Sequence, residues 1–265
     1  TCEAFRELYD KYIPGWANEP ELLVRVDEVP NNELWDAHMD VKKDLLDFVY
    51  RKTNVSMDPS VLTIGFARRA TAYKRATLIF SDIDQLREIN KRDQIQLILS
   101  GKAHPRDVSG KDMIRDIFHY KTLLKDEIKI AYLENYDINI AARLTSGVDV
   151  WLNTPLPPLE ASGTSGMKAA HNGVINFSVL DGWWDEGYQI GVGWAIGSGE
   201  EYEDADYQDQ VEGQAIYDLL ERYVVPLFYE RGRDNLPRGW IGMMRNSMCT
   251  LAARFNSHRM MQDYV

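Results

Sequence analysis

Short apolar runs alternate with amphipathic stretches through the middle of the chain. The short runs predict strands, and the stretches between them predict helices. This alternation predicts parallel βαβ units, with a sheet that helices cover on both faces. The predicted strands are residues 62–67, 95–99, 128–133, 148–152 and 174–179, and the predicted helices between them are residues 74–91, 109–125, 137–146 and 165–172.

Helical patterns flank this alternating region at both ends. In the N-terminal segment, apolar residues recur at three- and four-residue steps, first in "FRELYDKYI" and then over residues 34–48, behind a cap at Asn31 or Asn32. The C-terminal segment is again amphipathic. Between the two regions, residues 197–211, "GSGEEYEDADYQDQV", predict an acidic surface loop.

No domain boundary is evident between residues 55 and 230. A chain of 265 residues can bury a sizeable core without disulfides or metals. We therefore predict one α/β domain over residues 1–265. It has a helical lead-in at 1–55, an α/β core at 56–200 and C-terminal helices at 212–265.

Charge and composition exclude several classes of function. The net charge of −11 disfavours a nucleic-acid binder, which usually presents a basic face. No apolar run approaches the roughly 20 residues of a membrane span, and the first residues lack the pattern of a signal peptide. Cys2 and Cys249 lie far apart, and the five histidines show no metal-ligand spacing. We predict a cytoplasmic protein with no metal site, no membrane contact and no nucleic-acid partner.

Unusual polar residues follow four consecutive predicted strands. They form "ARRATAYKR" after the first strand, "SGKAHP" after the second, "ENYD" after the third and "NTPLPPLEASGTSGMK" after the fourth. The carboxyl ends of parallel strands meet at one edge of a sheet, and ligands bind there. The sequence therefore predicts a binding cleft at this edge.

The first of these stretches carries the cations Arg68, Arg69, Lys74 and Arg75. Cations at a helix N-terminus oppose the helix dipole, so several together indicate an anion between them and the backbone N–H groups. Arginine suits phosphate because its planar fork binds two oxygens at once. The alternative is the solvated start of a helix.

The stretch "GTSGMK" has the composition of a phosphate cradle. Its glycines let backbone N–H groups approach a ligand, Thr164 and Ser165 add hydroxyl groups, and the following helix adds its positive end. The spacing matches neither a Walker loop nor a dinucleotide-binding fingerprint. Lys168 is either an ordinary surface lysine or a desolvated amine that forms an imine with an aldehyde cofactor.

An aromatic-rich stretch, "LDGWWDEGY", follows the fifth predicted strand. Trp183, Trp184 and Tyr188 belong either to the core or to a surface that stacks on sugar rings, and core packing is the ordinary role of such residues. Asp185 and Glu186 do not form the carboxylate pair of a hydrolase.

Four motifs together resemble the α-glucan phosphorylases, the family of glycogen and maltodextrin phosphorylases. "EASGTSGMKAAHNGVINFSVLDGWWDEGY" resembles the cofactor region of that family. "RRATAYKR", "SGKAHP" and "LENYDINIA" resemble its "KRxHxYKR", "GGKAxP" and "LENYxVxxA" blocks. The matches span residues 60–190 in the family's order, and the C-terminal "RFNSHRMMQDYV" resembles the short bacterial and archaeal branch.

The resemblance implies a fold and a cofactor. The fold is a Rossmann-like parallel sheet with helices on both faces, the C-terminal domain of a GT-B glycosyltransferase that has two Rossmann domains. The cofactor is pyridoxal 5'-phosphate, held as an imine by Lys168. Thr164, Ser165 and Arg68 would hold its phosphate, and Tyr136 would lie beside its pyridine ring.

The resemblance also implies substrate contacts and a reaction. Arg69 and Lys74 would bind the substrate phosphate, and Glu160, Ser162 and Gly163 would contact the glucosyl unit. The family reaction is the reversible phosphorolysis of a terminal α-1,4-linked glucose of a glucan. Inorganic phosphate attacks, glucose 1-phosphate forms with retention, and the cofactor's phosphate relays the proton. The implied catalytic residues are Arg69, Lys74 and Lys168.

The chain departs from the animal enzymes at some motif positions. Arg68 replaces a lysine at the cofactor phosphate, which keeps the charge but changes the geometry. Asp137 replaces an arginine after Tyr136, so we carry no role over to it. Ser165 and Gly166 replace "GN" in the cofactor region.

The family's N-terminal domain, which supplies the other wall of the cleft, is not among these residues. We therefore expect the chain to represent the C-terminal half of such an enzyme and to lack phosphorylase activity by itself. Two alternatives stay open. One is a non-catalytic domain of the same ancestry that binds glucan or a partner. The other is a nucleotide-sugar glycosyltransferase domain, although those enzymes lack the lysine of this motif.

Overall fold

The computed structural model describes residues 1–200 and 202–265. Within these ranges, six strands form one sheet in the order β3-β2-β1-β4-β5-β6, and every neighbouring pair is parallel. This order is that of a doubly wound Rossmann-like sheet, so the predicted α/β fold class is confirmed. The strands are β1 (Leu62–Arg69), β2 (Ile95–Lys102), β3 (Lys129–Leu133), β4 (Val150–Asn153), β5 (Ile175–Val179) and β6 (Gly193–Ile196).

The described helices fall into three groups along the chain. The group before the sheet is α1 (Glu3–Tyr12), a 3-10 segment (Pro20–Glu28) and α2 (Asn31–Thr53). The helices between strands are α3 (Ile83–Arg92), α4 (Val108–Leu123), α5 (Ile138–Gly147), α6 (Thr164–Ala170) and α7 (Trp183–Gly187). The group after the sheet is α8 (Ala205–Leu219), α9 (Val225–Tyr229), α10 (Arg238–Ser247) and α11 (Ser257–Asp263), with π-helical turns at Leu220–Val224 and Met248–Ala252. In the described ranges, no helix combines the length and the apolar character that a membrane crossing requires.

The sheet separates two apolar layers, because successive side chains of a strand point to opposite faces. Ile64 and Phe66 of β1 pack into the larger layer, together with apolar residues of α1, α3, α4, α8 and α10. Ala67 packs into the other layer with Trp151 of β4 and Leu144 of α5. Burial of a side chain such as Phe66 contributes about 1.5–3 kcal/mol. Both faces of the sheet are therefore covered, as the alternating sequence pattern predicts.

A buried charge cluster anchors α2 to the amino end of the sheet. Asp149 accepts hydrogen bonds from Lys42 Nζ at 2.6 Å, from His38 Nε2 at 2.8 Å and from the backbone N–H of Thr63 at 2.7 Å. Lys42 also donates to the carbonyl of Val61 at 2.8 Å. Burial raises the pKa of Asp149, but Lys42 and the hydrogen bond from His38 outweigh it, so the pKa lies below its usual range. Asp149 is thus ionised and paired at neutral pH.

The five predicted strands are confirmed, with ends that shift by a few residues. The predicted helices at 109–125, 137–146 and 165–172 correspond to α4, α5 and α6. Strand β6 was not predicted, since "GVGWAIG" is short and its glycines usually indicate a turn. The four residues of β6 form a strand because they pair with β5, although the local sequence does not favour one.

Two predicted segments differ from the structure. The predicted helix at 74–91 begins only at Ile83, because 3-10 turns at 72–74 and 78–80 precede it and Arg75 has a φ of 46°. The predicted acidic loop at 197–211 includes residue 201, which lies outside the described residues, and its last part belongs to α8, whose cap Asp204 accepts hydrogen bonds from the N–H groups of the next turn. Local capping therefore ends the loop earlier than its composition indicates.

Candidate functional site

The sheet order creates a crevice between the carboxyl ends of β1 and β4. From β1 the chain continues to β2 on one side, and from β4 it continues to β5 on the other, so the loops diverge here. Ligands of doubly wound sheets bind at such a switch point. Arg68 and Arg69 close β1, and Asn153 closes β4. Polar side chains therefore flank the crevice on both sides.

A pocket of about 440 Å³ opens beside this crevice. Its walls come from the end of β1, the turn that follows, the segment after β3 and the loop that leads into α6. Nine of the ten predicted site residues line it: Arg68, Arg69, Lys74, Tyr136, Glu160, Ser162, Gly163, Thr164 and Ser165. Three motifs that are distant in the sequence thus meet in one pocket. The tenth predicted residue, Lys168, is not part of this lining.

Glu160 lies at the centre of the charged part of the pocket. Its Oε2 atom accepts hydrogen bonds from Arg68 Nη1 and from Lys74 Nζ. Arg68 also donates through Nε to Oδ1 of Asn153 at 2.8 Å, which fixes the guanidinium against the end of β4. Burial raises the pKa of Glu160, but Arg68 and Lys74 outweigh it, so the pKa lies below its usual range. Glu160 is therefore a carboxylate at neutral pH.

Positive charge exceeds negative charge among the residues that line the pocket. Arg68, Arg69 and Lys74 face a single carboxylate, that of Glu160. Arg69 is exposed, whereas Lys74 is only 7% exposed and its Nζ lies 4.5 Å from the centre of the Tyr73 ring. A desolvated ammonium group and two planar guanidinium groups favour an anionic ligand with several oxygens. The pocket therefore has the chemistry of a phosphate site.

The hydroxyl groups of the "GTSGMK" stretch lie on the same pocket. Ser165 Oγ accepts a hydrogen bond from Trp151 Nε1 at 3.2 Å and lies 3.5 Å from Arg68 Nη2. Trp151 belongs to β4 and is fully buried, so the sheet itself positions this hydroxyl. Gly163 has a φ of 86°, which a side chain at this turn would disfavour. Thr164 follows as the exposed first residue of α6.

Arg75 lies apart from the other three cations of the "ARRATAYKR" stretch. Its guanidinium donates to the carbonyls of Thr154 and Pro155 at 3.0 and 2.7 Å, and to Asp209 at 2.7 Å. It also pairs with the buried Glu212 of α8. The interpretation of all four cations as one phosphate-binding group is therefore wrong for Arg75. The left-handed turn at this residue directs its side chain to α8 instead.

Lys168 lies on α6 four residues after Thr164, so the two side chains share one face of the helix. Lys168 is exposed. It lines a second cavity, of about 580 Å³, which residues of α1, α2 and α5 complete, among them Glu7, Asp44 and Arg143. The structure therefore leaves Lys168 beside the first pocket rather than inside it.

The structure also decides the role of the aromatic stretch. Trp183 and Trp184 are 3% and 0% exposed and pack with Leu251 and Phe255. Their core-packing interpretation is confirmed, and a sugar-stacking surface on these rings is excluded. Asn153 was not predicted as a site residue. The sequence indicates it only as a polar residue at the end of a buried apolar strand.

Fold and pocket together define the class of this protein. It is an α/β protein with a Rossmann-like sheet and a cation-rich, hydroxyl-lined pocket at the switch point. Residues 6–188 match the carbohydrate phosphorylase family, which covers more than half of the chain. The chain therefore belongs to the carbohydrate phosphorylase family, as its motifs indicated.

Relatives with assigned names agree with this family. The chain is 40% identical to a glycogen phosphorylase of Aquifex aeolicus over 287 aligned positions, which cover 100% of the chain and 41% of that protein. It is 42% identical to a maltodextrin phosphorylase of Thermococcus litoralis, over 98% of the chain and 33% of that protein. A glycogen phosphorylase of Mycobacterium tuberculosis is 46% identical over 79% of the chain and 25% of its own length. The chain thus spans less than half the length of each of these relatives.

Proposed function

We propose that the chain is the pyridoxal-phosphate-binding part of an α-glucan phosphorylase. The complete enzyme would phosphorolyse a terminal α-1,4-linked glucose of a glucan with inorganic phosphate and form glucose 1-phosphate with retention. One observation carries this proposal: residues of three distant motifs line a single pocket at the switch point. Family membership supports the same conclusion.

Arg69 and Lys74 are the proposed ligands of the substrate phosphate. Lys74 is nearly buried, and Arg69 at the end of β1 reaches the same pocket from the solvent side. Because Glu160 balances only one of the pocket's three positive charges, the remaining positive charge favours the binding of phosphate. These cations would also stabilise the charge of the phosphate as it attacks the sugar.

Glu160, Ser162 and Gly163 are the proposed contacts of the glucosyl unit. They offer a carboxylate, a hydroxyl and a backbone that a glycine leaves accessible, and such groups match the donors and acceptors of sugar hydroxyls. Glu160 contacts Lys74 directly. Sugar and phosphate would therefore bind side by side, within reach of one another.

The pocket residues also suit pyridoxal 5'-phosphate. Its phosphate matches the hydroxyls of Thr164 and Ser165 and the guanidinium of Arg68, which lie together at the start of α6. Burial raises the pKa of Tyr136, so its phenol is neutral beside the place proposed for the pyridine ring. Lys168, on the Thr164 face of α6, would tether the aldehyde. When bound, the cofactor supplies a phosphate that exchanges a proton with the substrate phosphate.

The residues of this chain would then have a positioning and electrostatic role. Arg68 and Ser165 would hold one phosphate, and Arg69 and Lys74 the other, so that cations separate two anions that would otherwise repel each other. The resemblance assigns the other wall of the cleft to an N-terminal domain. We therefore expect the 265-residue chain to bind these ligands without phosphorolysis. Its cytoplasmic location stays a prediction.

Covalent trapping tests this proposal. The chain is incubated with pyridoxal 5'-phosphate, reduced with borohydride and digested, and the modified lysine is identified by mass spectrometry. We expect the pyridoxyl group on Lys168, its loss in Lys168→Ala and its retention in the exposed control Lys125→Ala. Recovery of no adduct at excess cofactor would contradict the proposal.

Ligand selectivity separates the remaining alternatives. A Lys168→Ala change that leaves every measured ligand affinity unchanged would favour a non-catalytic domain of the same ancestry. Tighter binding of a nucleotide-sugar than of glucose 1-phosphate would favour a nucleotide-sugar glycosyltransferase domain. We expect neither result, because the pocket combines cations and hydroxyls from the phosphorylase motifs.

A further inference from the structure

Asp181 lies two residues after β5, at the strand end next to that of β4. Its Oδ2 atom accepts a hydrogen bond from the backbone N–H of Glu160 at 2.9 Å, and its Oδ1 atom accepts one from the N–H of Gly182 at 2.9 Å. One carboxylate thus holds two loops together. Asp181 does not line the pocket of about 440 Å³, but it contacts Glu160, which does.

Two further contacts join the same loops. The backbone N–H of Trp183 donates to the carbonyl of Ser162 at 2.8 Å. Gly182 has a φ of 57°, and a Cβ there would lie 2.6 Å from the carbonyl oxygen of Ser162 and 2.8 Å from that of Glu160. The loop at 160–162 therefore rests directly on the turn at 181–183. This turn cannot accept a side chain at its centre without moving the loop.

We propose that Asp181 is a positioning residue that orients Glu160 and Ser162 toward the glucosyl unit. The inference rests on the proposed function, because the sugar contacts of these two residues are part of it. A carboxylate is required here, since each of its oxygens accepts one N–H, whereas an asparagine amide offers one acceptor and one donor. Loss of Asp181 should disturb the sugar contacts while the phosphate contacts persist, because Arg69 lies at the end of β1 and Lys74 in the 3-10 turn that follows it.

The charges around Asp181 agree with this role. Burial raises the pKa of Asp181, and the neighbouring carboxylate of Glu160 raises it further, although its two backbone hydrogen bonds oppose the shift. A carboxylate whose only requirement was hydration would be more stable away from a second carboxylate such as that of Glu160. Protonation of Asp181 would convert one acceptor into a donor that faces an N–H group. Glucose affinity should therefore fall as the pH decreases through the raised pKa of Asp181.

The experiment compares glucose and inorganic phosphate as separate probes of the same chain. In Asp181→Asn we expect glucose affinity to fall roughly tenfold, with phosphate affinity and thermal stability nearly unchanged. The part of the acid decline of glucose affinity that comes from protonation of Asp181 should also disappear. The exposed Asp185 of α7 supplies the control, and Asp185→Asn should bind both probes as the parent chain does.

Amide hydrogen exchange tests the contact between Asp181 and Glu160 in the absence of any ligand. The N–H of Glu160 should exchange faster in Asp181→Asn than in the parent, whereas the amides of β5 should not change. Equal glucose affinity in the parent and in Asp181→Asn, or an equal loss of affinity for glucose and for inorganic phosphate, would overturn the proposal. If the parent binds neither probe, the proposed function fails, and unchanged exchange at Glu160 would separately show that Asp181 does not hold the loop.

Discussion

Asp149 and Glu160 occupy equivalent places in two charge clusters at opposite ends of the sheet. Each is a carboxylate that accepts hydrogen bonds from two basic side chains. Asp149 bridges His38 and Lys42, and all three side chains are 0% exposed. Glu160 bridges Arg68 and Lys74, and these side chains are 12%, 8% and 8% exposed. The composition of the two clusters is similar, but their access to solvent differs.

The difference in access explains the difference in role. Asp149 also accepts the N–H of Thr63, and Lys42 also donates to Val61, so protein atoms surround and pair both charged groups of the amino-end cluster. The carboxyl-end cluster opens into a pocket and includes a third cation, Arg69, at its rim. A buried, paired cluster fixes a helix to a sheet. The similar cluster at the open switch point lines a pocket, at the place where doubly wound sheets bind ligands.

The largest effect is expected from Asp149→Asn. The change leaves Lys42 buried without its counter-charge, and breaking a buried ion pair costs about 3–5 kcal/mol. The free energy of unfolding from urea titration should fall by that amount. The exposed Asp47 of α2 provides a matched control, since Asp47→Asn removes the same charge without a buried partner. A loss similar to that of the control would show that the cluster does not anchor α2.

A smaller effect, on binding rather than on stability, is expected from Lys74→Ala. Removing a charged hydrogen-bond donor from the phosphate site should weaken inorganic phosphate binding by about 2 kcal/mol, roughly thirtyfold. Isothermal titration calorimetry on the chain measures the change, with Lys125→Ala as the control. The unfolding free energy should change less than in Asp149→Asn, because Arg68 remains paired with Glu160. Unaltered phosphate affinity would remove Lys74 from the proposed site.

The smallest effect is expected when Glu160 is protonated at acidic pH and its contribution to stability is lost. Its pKa in the folded chain is lowered, so its contribution to stability is present above the unfolded value of about 4.3 and is lost as the pH falls below it. The contribution is about 1 kcal/mol or less, since solvent screens a group at a pocket mouth. Urea midpoints of the parent and of Glu160→Gln should differ at pH 6 and approach each other as the pH falls through the lowered pKa of Glu160. A constant difference across this range would show that Glu160 is not held as an ion pair.

Much of the fold could be predicted from local patterns. The apolar run at Leu62–Ala67 and the four similar runs identified strands, because a strand buried on both faces tolerates few polar residues. Strand β6 escaped prediction, since its four residues lie among glycines and gain their order from β5. The turn around Arg75 also escaped, because the partners that stabilise it lie on α8.

The candidate site was predictable as a set of residues but not as a set of contacts. Arg68 and Lys74 were identified as a cation cluster, and Glu160 through the resemblance to the phosphorylase motifs, yet nothing in the sequence indicated that the first two contact one oxygen of the third. Asn153 and Asp181 were missed, because a single polar residue after a strand carries little local signal. Their roles depend on which strand ends lie next to each other.

The sequence by itself determined that this chain alternates strands and helices, that cations and hydroxyls follow its strands, and that its motifs resemble those of phosphorylases. Only the tertiary structure decided which charges are buried among protein atoms and which line the pocket. Lys42 and Asp149 are 107 positions apart, and Lys74 and Glu160 are 86 apart. Such pairs form only when the sheet order brings distant segments together. Burial, which separates the two clusters, is a property of the packed molecule and not of any local stretch.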